Sequence, residues 1–474
     1  MANEVQNHDA QATKWAEALA ALNGAEFIEY LRGCRWFGGK AQTLRGVQVM
    51  EALSLGDAGR MILLQADYDG APSETYLLPL QLAAEDAVLV DALEDECFRA
   101  ALLGIIVGEQ RVCCGSGELV GICGSEFKAH AMGMMQSLLS RVLTLEQSNS
   151  SILYDEHFFL KLYRRPELGE NPDAELLRHL SDGCKFANVP GYCGLIEYRV
   201  PGAEPRVLAL LVTNVPNEGS AWTSTLRLLA QSPDENEVSG IERARLLGER
   251  TAQMHLALAA ETEDADFAPE AFTAAYREEL CQSMTETTRS MMALLEQKVH
   301  ALPEGIRDEA VDLLRREQEI LQSHSRLMEG QVNAMRIRIH GDYHLGQVLD
   351  TGGDFVIIDF EGEPARPLNE RRIKHSPLRD VAGMLRSFDY AARTAAQPEA
   401  WGERISQEFL NAYLTTAEGA SFLPANEEEL RMLLEVCLLE KAVYEVCYEL
   451  NNRPDWVGIP LRGILRILDR SVAR

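Results

Sequence analysis

Lysine is scarce in this 474-residue chain: only eight of its 45 basic side chains are lysines, so each well-placed lysine carries weight. Long apolar runs are missing too. The stretch Ala100–Val107 is far too short to span a bilayer, so no membrane segment is expected. The ten cysteines include no C-x-x-C spacing, which removes the usual zinc and dithiol motifs and predicts free thiols in a reduced cytoplasm. The opening MANEVQNHDAQATKW has neither a basic region nor an apolar core, so a secretory signal is not expected. Positive charge is in deficit, leaving a net charge of −28. Such a surface repels nucleic acid and anionic membranes, and an anionic ligand must be held by a few local cations. What is present is ordinary for a globular protein: 46% hydrophobic and 25% charged residues, over a length that suits two or three domains.

The most informative stretch is Ile339-His340-Gly341-Asp342-Tyr343-His344-Leu345-Gly346-Gln347, followed by Ile357-Ile358-Asp359-Phe360-Glu361. An Asp five residues before an amide, with a second Asp after a short apolar run, is the phosphoryl-transfer layout of protein-kinase-like folds. In that layout Asp342 takes the proton of the attacking hydroxyl. Gln347 and Asp359 hold magnesium on the phosphates of ATP, because magnesium accepts a small set of hard oxygens and keeps its waters. The usual H-R-D-x-x-x-x-N reads H-G-D-x-x-x-x-Q here, and D-F-G reads D-F-E. Both replacements occur in small-molecule kinases resembling the aminoglycoside phosphotransferases, so a protein acceptor is not expected.

Lys161 is a lone cation in the apolar strand His157–Tyr163 and needs an anion or an outward path. Glu175, near the start of a helix signalled by Pro172 and Asp173, is its expected partner, and the pair would set Lys161 on the nucleotide phosphates. A solvated lysine is the rival reading, and Arg164 and Arg165 are expected in solvent. Ser148, Asn149 and Ser150, within Glu146–Ser151, occupy the slot of a glycine-rich loop without any glycine, so hydroxyls and backbone N–H groups would make the phosphate contacts; a plain hairpin is the alternative. Thr213 and Val215, at the end of the buried strand Val207–Thr213 where a hinge would fall, join the nucleotide side. His340 and Asp380 are expected to brace the catalytic loop. Lys441, Tyr444, Glu445 and Tyr448 fall on one helical face, with Arg453 and Trp456 just beyond. Charge beside aromatic rings suits a sugar, but the same spacing suits an amphipathic helix with packed tyrosines, and spacing does not choose between them.

Strand-like runs dominate up to Thr213: Val47–Leu53, Met61–Ala66 and Thr75–Leu80, with helices near Ala12–Leu31 and Glu94–Val107. Beyond Gly219 helical periodicity covers roughly 220–230, 240–260, 268–298, 305–328, 378–394, 402–416, 427–450 and 461–472. A strand-rich part ahead of a helical part is the order of a bilobal kinase.

Taken together, these motifs resemble the maltokinase family. The resemblance rests on W-F-G-G-K at Trp36–Lys40, E-Q-S-N-S-S at Glu146–Ser151, L-K-L-Y-R-R at Leu160–Arg165, N-P-D-A-E at Asn171–Glu175, I-D-F-E-G-E-P at Ile358–Pro364, the run Ser376–Ala392 and the Y-E…N-R-P-D-W tail. It implies an α+β, bilobal, aminoglycoside-phosphotransferase-like fold with a cap at 1–88, an intermediate part completing the N-lobe at 89–213 and a helical C-lobe at 214–474. It also implies ATP- and magnesium-dependent phosphorylation of maltose at its anomeric hydroxyl, in a cytoplasmic route to α-glucan, with trehalose synthase as a possible associate. The helix carrying Lys441, Tyr444, Glu445 and Tyr448 would then face the sugar. A kinase of the same fold acting on glucosamine is the nearest alternative, and an aminoglycoside phosphotransferase a more distant one.

Overall fold

The computed structural model describes residues 13–472 apart from 21, 23, 84–87, 126, 129–137, 144–147, 231–232 and 365. Glu146 and Gln147 therefore lie outside the described residues. The chain divides into two compact units, 1–183 with 190–216 and 184–189 with 217–474.

The first unit is built on two antiparallel sheets. Leu44–Ser54, Arg60–Tyr68, Glu74–Leu82 and Leu89–Asp91 pair in sequence order. Arg60–Tyr68 is buried on both faces, which is why its middle reads as an unbroken apolar run rather than an alternation. Ile62, Leu64 and Ala66 pack with Trp15, Leu31 and Phe37 on one side. Met61 and Leu63 pack with Phe98 and Leu102 of the Glu96–Val107 helix on the other. Asp95 caps that helix by accepting the Cys97 N–H at 2.6 Å, and it ends at Gly108.

The second sheet has seven strands among the described residues, in the order Arg111–Cys114, Gly117–Cys123, Tyr192–Arg199, Arg206–Thr213, Phe158–Leu162, Ser150–Tyr154 and Ser140–Leu143. Gly121 allows the Glu96–Val107 helix to lie on it; a Cβ there would stand 1.9 Å from the Ile105 carbonyl oxygen. The interior strand Tyr192–Arg199 was not anticipated from sequence. Gly194, at φ 143°, and the buried Glu197 interrupt its apolar pattern.

The second unit is mostly helical. Its core brings Met291, Leu295, Leu313 and Ile320 against Leu439, Val443, Val446, Leu461 and Ile464. Two expected helices are shorter or broken. The 268–298 helix starts at Ala274, because Glu270–Ala271 forms a short ladder with Met335–Arg336. The 305–328 helix divides at Arg316, with φ −106° and ψ 15°, into Glu304–Arg315 and Glu317–Ser325. Gly248 brings the Pro233–Leu258 helix against Glu399–Thr416, since a Cβ would meet the Phe409 carbonyl oxygen at 2.3 Å.

Candidate active site

In the second unit one buried carboxylate organises the His340–Gln347 loop. Asp380, near the start of the Leu378–Thr394 helix, accepts the His340 N–H through Oδ2 at 2.8 Å and the Gly341 N–H through Oδ1 at 3.0 Å. His255 supports it from behind: Nε2 lies 3.1 Å from Asp380 Oδ2, and Nδ1 lies 2.9 Å from the Tyr413 hydroxyl. With Asp380 ionised, Nε2 is the donor in that contact. Burial pushes the Asp380 carboxyl up, but the bond and charge of His255, the charge of His340 and the Gly341 N–H together hold it below the ordinary carboxylate value. The His340 ring completes the brace. Its Nε2 donates to the Ile358 carbonyl oxygen at 2.9 Å, tying the loop to the segment that carries Asp359.

Asp342 follows Gly341, whose φ of 85° turns the chain at that point. Its side chain keeps 24% exposure, while Oδ1 lies 3.3 Å from Lys441 Nζ and Oδ2 lies 3.9 Å from His344 Nε2. Burial holds the His344 imidazole below its ordinary value, although Asp342 pulls the other way. Gln347 donates through Nε2 to Asp359 Oδ2 at 2.8 Å. Asp359 sits two residues past the Phe355–Ile357 strand at φ 67°, a backbone conformation that non-glycine residues seldom adopt. An amide and a carboxylate already in contact form a hard-oxygen donor set of the kind magnesium accepts, so these residues fit the ion.

The Glu427–Asn452 helix brings a second group of charges to Asp342. Lys441 Nζ also lies 3.3 Å from Glu363 Oε1, so one ammonium bridges Asp342 and Glu363. Burial pushes the Glu363 carboxyl up, but Lys441, Arg366 and Arg379 outweigh it and hold it at about 2. Burial would lower the Lys441 ammonium, and Asp342, Glu363 and Glu445 instead raise it above its ordinary value. Lys441 stands 5.0 Å from the centre of the Tyr444 ring. Burial, with Glu363 next, pushes the Tyr444 phenol up to about 12.

Further along the same helix the polar groups turn to partners of their own. Glu445 Oε2 accepts from Arg386 Nε at 2.9 Å, and Arg386 also pairs with Asp389 at 2.8 Å. Burial raises the Glu445 carboxyl despite the pull of Arg386. Arg453 grips Glu449 with Nε at 2.9 Å and Nη2 at 2.6 Å, and lies over the rings of Tyr448 and Trp456. Tyr448 is exposed, and Trp456 stacks near Tyr390 at 6.1 Å. Glu363, Arg386, Asp389, Glu449 and His255 were not singled out from sequence. Only the apolar-to-charged alternation along 441–449 hinted that this face needed partners.

In the first unit Lys161 lies in the Phe158–Leu162 strand and is buried. Its Nζ contacts Asp173 Oδ2 at 3.0 Å, and the Tyr163 hydroxyl joins the same oxygen at 3.1 Å. Asp173 therefore adds to the lysine's surroundings a carboxylate that the sequence had suggested only as a helix-start signal; Glu175 is buried on the same short helix, Pro172–Leu177. Asn171 caps that helix, its Oδ1 accepting the Asp173 and Ala174 N–H groups. Arg164 corrects an expectation. It is buried rather than solvated, donating to Ser150 Oγ at 2.8 Å and pairing with Asp91 at 3.3 Å, with its guanidinium over Trp36. Arg165 pairs with Glu74 at 2.8 Å. Ser148 is exposed and Asn149 buried, and Ser150 opens a strand. Thr213 Oγ1 accepts the Gly191 N–H at 2.8 Å, and Val215 lies just beyond the strand.

Residues 30–107 match the maltokinase N-terminal cap domain. Two curated relatives are glucosamine kinases. That of Streptacidiphilus jiangxiensis is 28% identical over 68% of this chain and 71% of its own, and that of Mycolicibacterium smegmatis is 24% identical over 70% and 80%. A glucosamine kinase solved in complex with glucosamine, ADP and inorganic phosphate shares the fold at a TM-score of 0.66 and 21% identity, over 96% of this chain and 99% of that one. These two relatives carry the name glucosamine kinase rather than maltokinase, so the resemblance drawn from the motifs is supported in the cap alone. The chain therefore has the α+β, bilobal kinase fold of that solved structure over most of its length, with a cap whose residues 30–107 match the maltokinase N-terminal cap domain.

Proposed function

We propose that the chain transfers the γ-phosphoryl group of ATP to a hydroxyl of a small sugar, and that the sugar is an amino sugar such as glucosamine. The observation that carries the transfer is the loop geometry: Asp342 stands beside backbone fixed by Asp380, and Gln347 is bonded to Asp359 twelve residues on. On this reading Asp342 takes the proton as the sugar oxygen bonds to phosphorus, and ADP leaves. Gln347 and Asp359 hold magnesium, which when bound neutralises charge on the phosphates. Lys161 is the nucleotide-side cation of the first unit. Tyr444 and Lys441, next to Asp342, are the sugar-side groups that its geometry favours.

Glucosamine is preferred to maltose because both curated relatives named above are glucosamine kinases. The match of residues 30–107 to the maltokinase cap supports a second reading, phosphorylation of maltose at its anomeric hydroxyl. ADP release measured over glucosamine, maltose, trehalose, glucose and kanamycin decides between them. The highest kcat/KM is expected with glucosamine. Preferred turnover of maltose would return the reaction to the second reading, and preferred turnover of kanamycin would overturn both.

A further inference from the structure

A cleft of about 570 Å³ in the second unit is bordered by Phe272, Ala274, Arg277, Asn333, Met335 and Ser421. None of these residues takes part in the site described above. The volume is that of a small-molecule pocket.

Three features of this cleft bear on what it would take. Arg277 is buried, at 8% exposure, and carries its charge with no carboxylate within ion-pair distance among the described residues. Its Nη1 donates to the Leu327 and Gly330 carbonyl oxygens at 3.0 and 2.6 Å. Its Nε is buried with no hydrogen-bond partner, and Nη2 makes no hydrogen bond among the described residues. Nε and Nη2 form the side-on edge of the guanidinium, the edge that grips an oxyanion with two parallel bonds. A buried cation without a counter-charge is costly, and an anion supplied from outside relieves that cost.

The second feature is a helix end. Ala274–Lys298 is a 25-residue helix whose first residue borders the cleft. Thr273 caps it by accepting the Tyr276 N–H at 3.2 Å, which leaves the Ala274 and Ala275 N–H groups without acceptors among the described residues. Arg277 stands in the first turn, and helical side chains lean back toward the N-terminus. Ala274 and Arg277 both border the cleft, at the positive end of the helix dipole. The third feature is the wall. No carboxylate is among the described residues that line it; Glu270 pairs with Lys374 at 2.8 Å and also with Arg336, and Glu429 accepts the N–H of the lining residue Asn333 at 3.2 Å.

The geometry points to a binding site for a phosphate group carried by a small organic molecule, held by the side-on edge of Arg277 and the first-turn N–H groups of the Ala274–Lys298 helix. Phe272 and Met335 offer apolar surface to the rest of the ligand. The Met335–Arg336 strand that walls the cleft leads straight into the His340–Gln347 loop.

Thermal stability is measured against inorganic phosphate, with ionic strength held constant by chloride, on the full chain. Ala274→Pro removes one free N–H at the helix position that proline tolerates best, and Thr273, at ψ 159°, already has the extended conformation required before proline. Ser421→Asp places a carboxylate on the cleft wall, at an exposed side chain whose backbone carbonyl alone bonds Met335. Arg277→Lys keeps the charge and loses the fork. The wild type is expected to gain melting temperature saturably with phosphate. The apparent phosphate Kd should rise roughly three-fold or more in Ala274→Pro, and further in the other two. The proposal is overturned by no saturable gain, by an equal gain in the wild type and both Ala274→Pro and Ser421→Asp, or by saturable stabilisation with citrate but none with phosphate.

Discussion

The catalytic loop and the helix beside it hold their polar groups in opposite ways. In the loop a single carboxylate, Asp380, fixes backbone N–H groups, and the side chain of Asp342 remains part-exposed. On the Glu427–Asn452 helix the charged side chains are tied to one another's counter-charges: Lys441 to Asp342 and Glu363, Glu445 to Arg386, Glu449 to Arg453. A braced backbone leaves a reactive group free to act. A paired side chain is already committed and must exchange partners before it can bind anything else. Catalysis is therefore expected to be concentrated in the loop, while much of the helix's charge serves the architecture, with Lys441 where the two regions meet.

The largest expected effect is on Asp342. Asp342→Asn keeps shape and removes the base, so kcat should fall by on the order of 10²–10⁴-fold with the ATP dissociation constant little changed. Steady-state kinetics and a nucleotide titration read both. A kcat near that of the wild type would place the proton acceptor elsewhere and dissolve the contrast between loop and helix.

Next comes Asp380. Asp380→Ala leaves two backbone N–H groups and His255 without their acceptor in a buried place. Breaking such a buried pair costs on the order of 3–5 kcal/mol, a large share of a typical folding free energy. Denaturant unfolding should show that loss. Asp380→Asn should retain more stability yet lower kcat, because one oxygen can still accept while the other donor is left unmatched.

Lys441→Met tests the meeting point. The Glu363 carboxyl is held at about 2, below its ordinary 4.5, with Lys441 the leading cation. A depressed acid adds stability that is fully present above pH 4.5 and is lost as pH falls toward 2. Without Lys441 the carboxyl is less depressed, so a smaller loss should remain as pH falls from 4.5 toward 2. Melting temperature followed from neutral to acid pH reads the shift; superimposable curves for variant and wild type would mean that the bridge has no energetic weight.

The smallest effect is expected at Glu445. Glu445→Gln keeps one hydrogen bond to Arg386 and loses its charge, a difference on the order of 1 kcal/mol. It should lower the melting temperature and leave the sugar KM nearly unchanged. A large rise in KM with an unchanged melting temperature would reverse this and make Glu445 a sugar ligand.

The same contrast governs what the sequence revealed. Asp342, Gln347 and Asp359 lie within one short stretch, so the sequence alone could present them as one candidate group. The partners of the helix do not: Lys441 reaches Glu363 across 78 positions, and Asp380 reaches His255 across 125. Apolar periodicity located most helices of the second unit and, in the first, the strands Leu44–Ser54, Arg60–Tyr68, Glu74–Leu82, Phe158–Leu162 and Arg206–Thr213. It passed over Tyr192–Arg199, whose pattern is broken by Gly194 and Glu197, and the division at Arg316, which has no proline or glycine to mark it. The burial of Arg164 was illegible because it depends on Asp91 and Trp36, far away in the chain.

The central claim, that Asp342 drives phosphoryl transfer to a sugar, is tested most directly by phosphorus NMR of ATP mixed with glucosamine. The wild type should produce a sugar-phosphate resonance as ADP appears, and Asp342→Asn should produce almost none over the same period. Sugar phosphate formed equally fast by the variant would contradict the account.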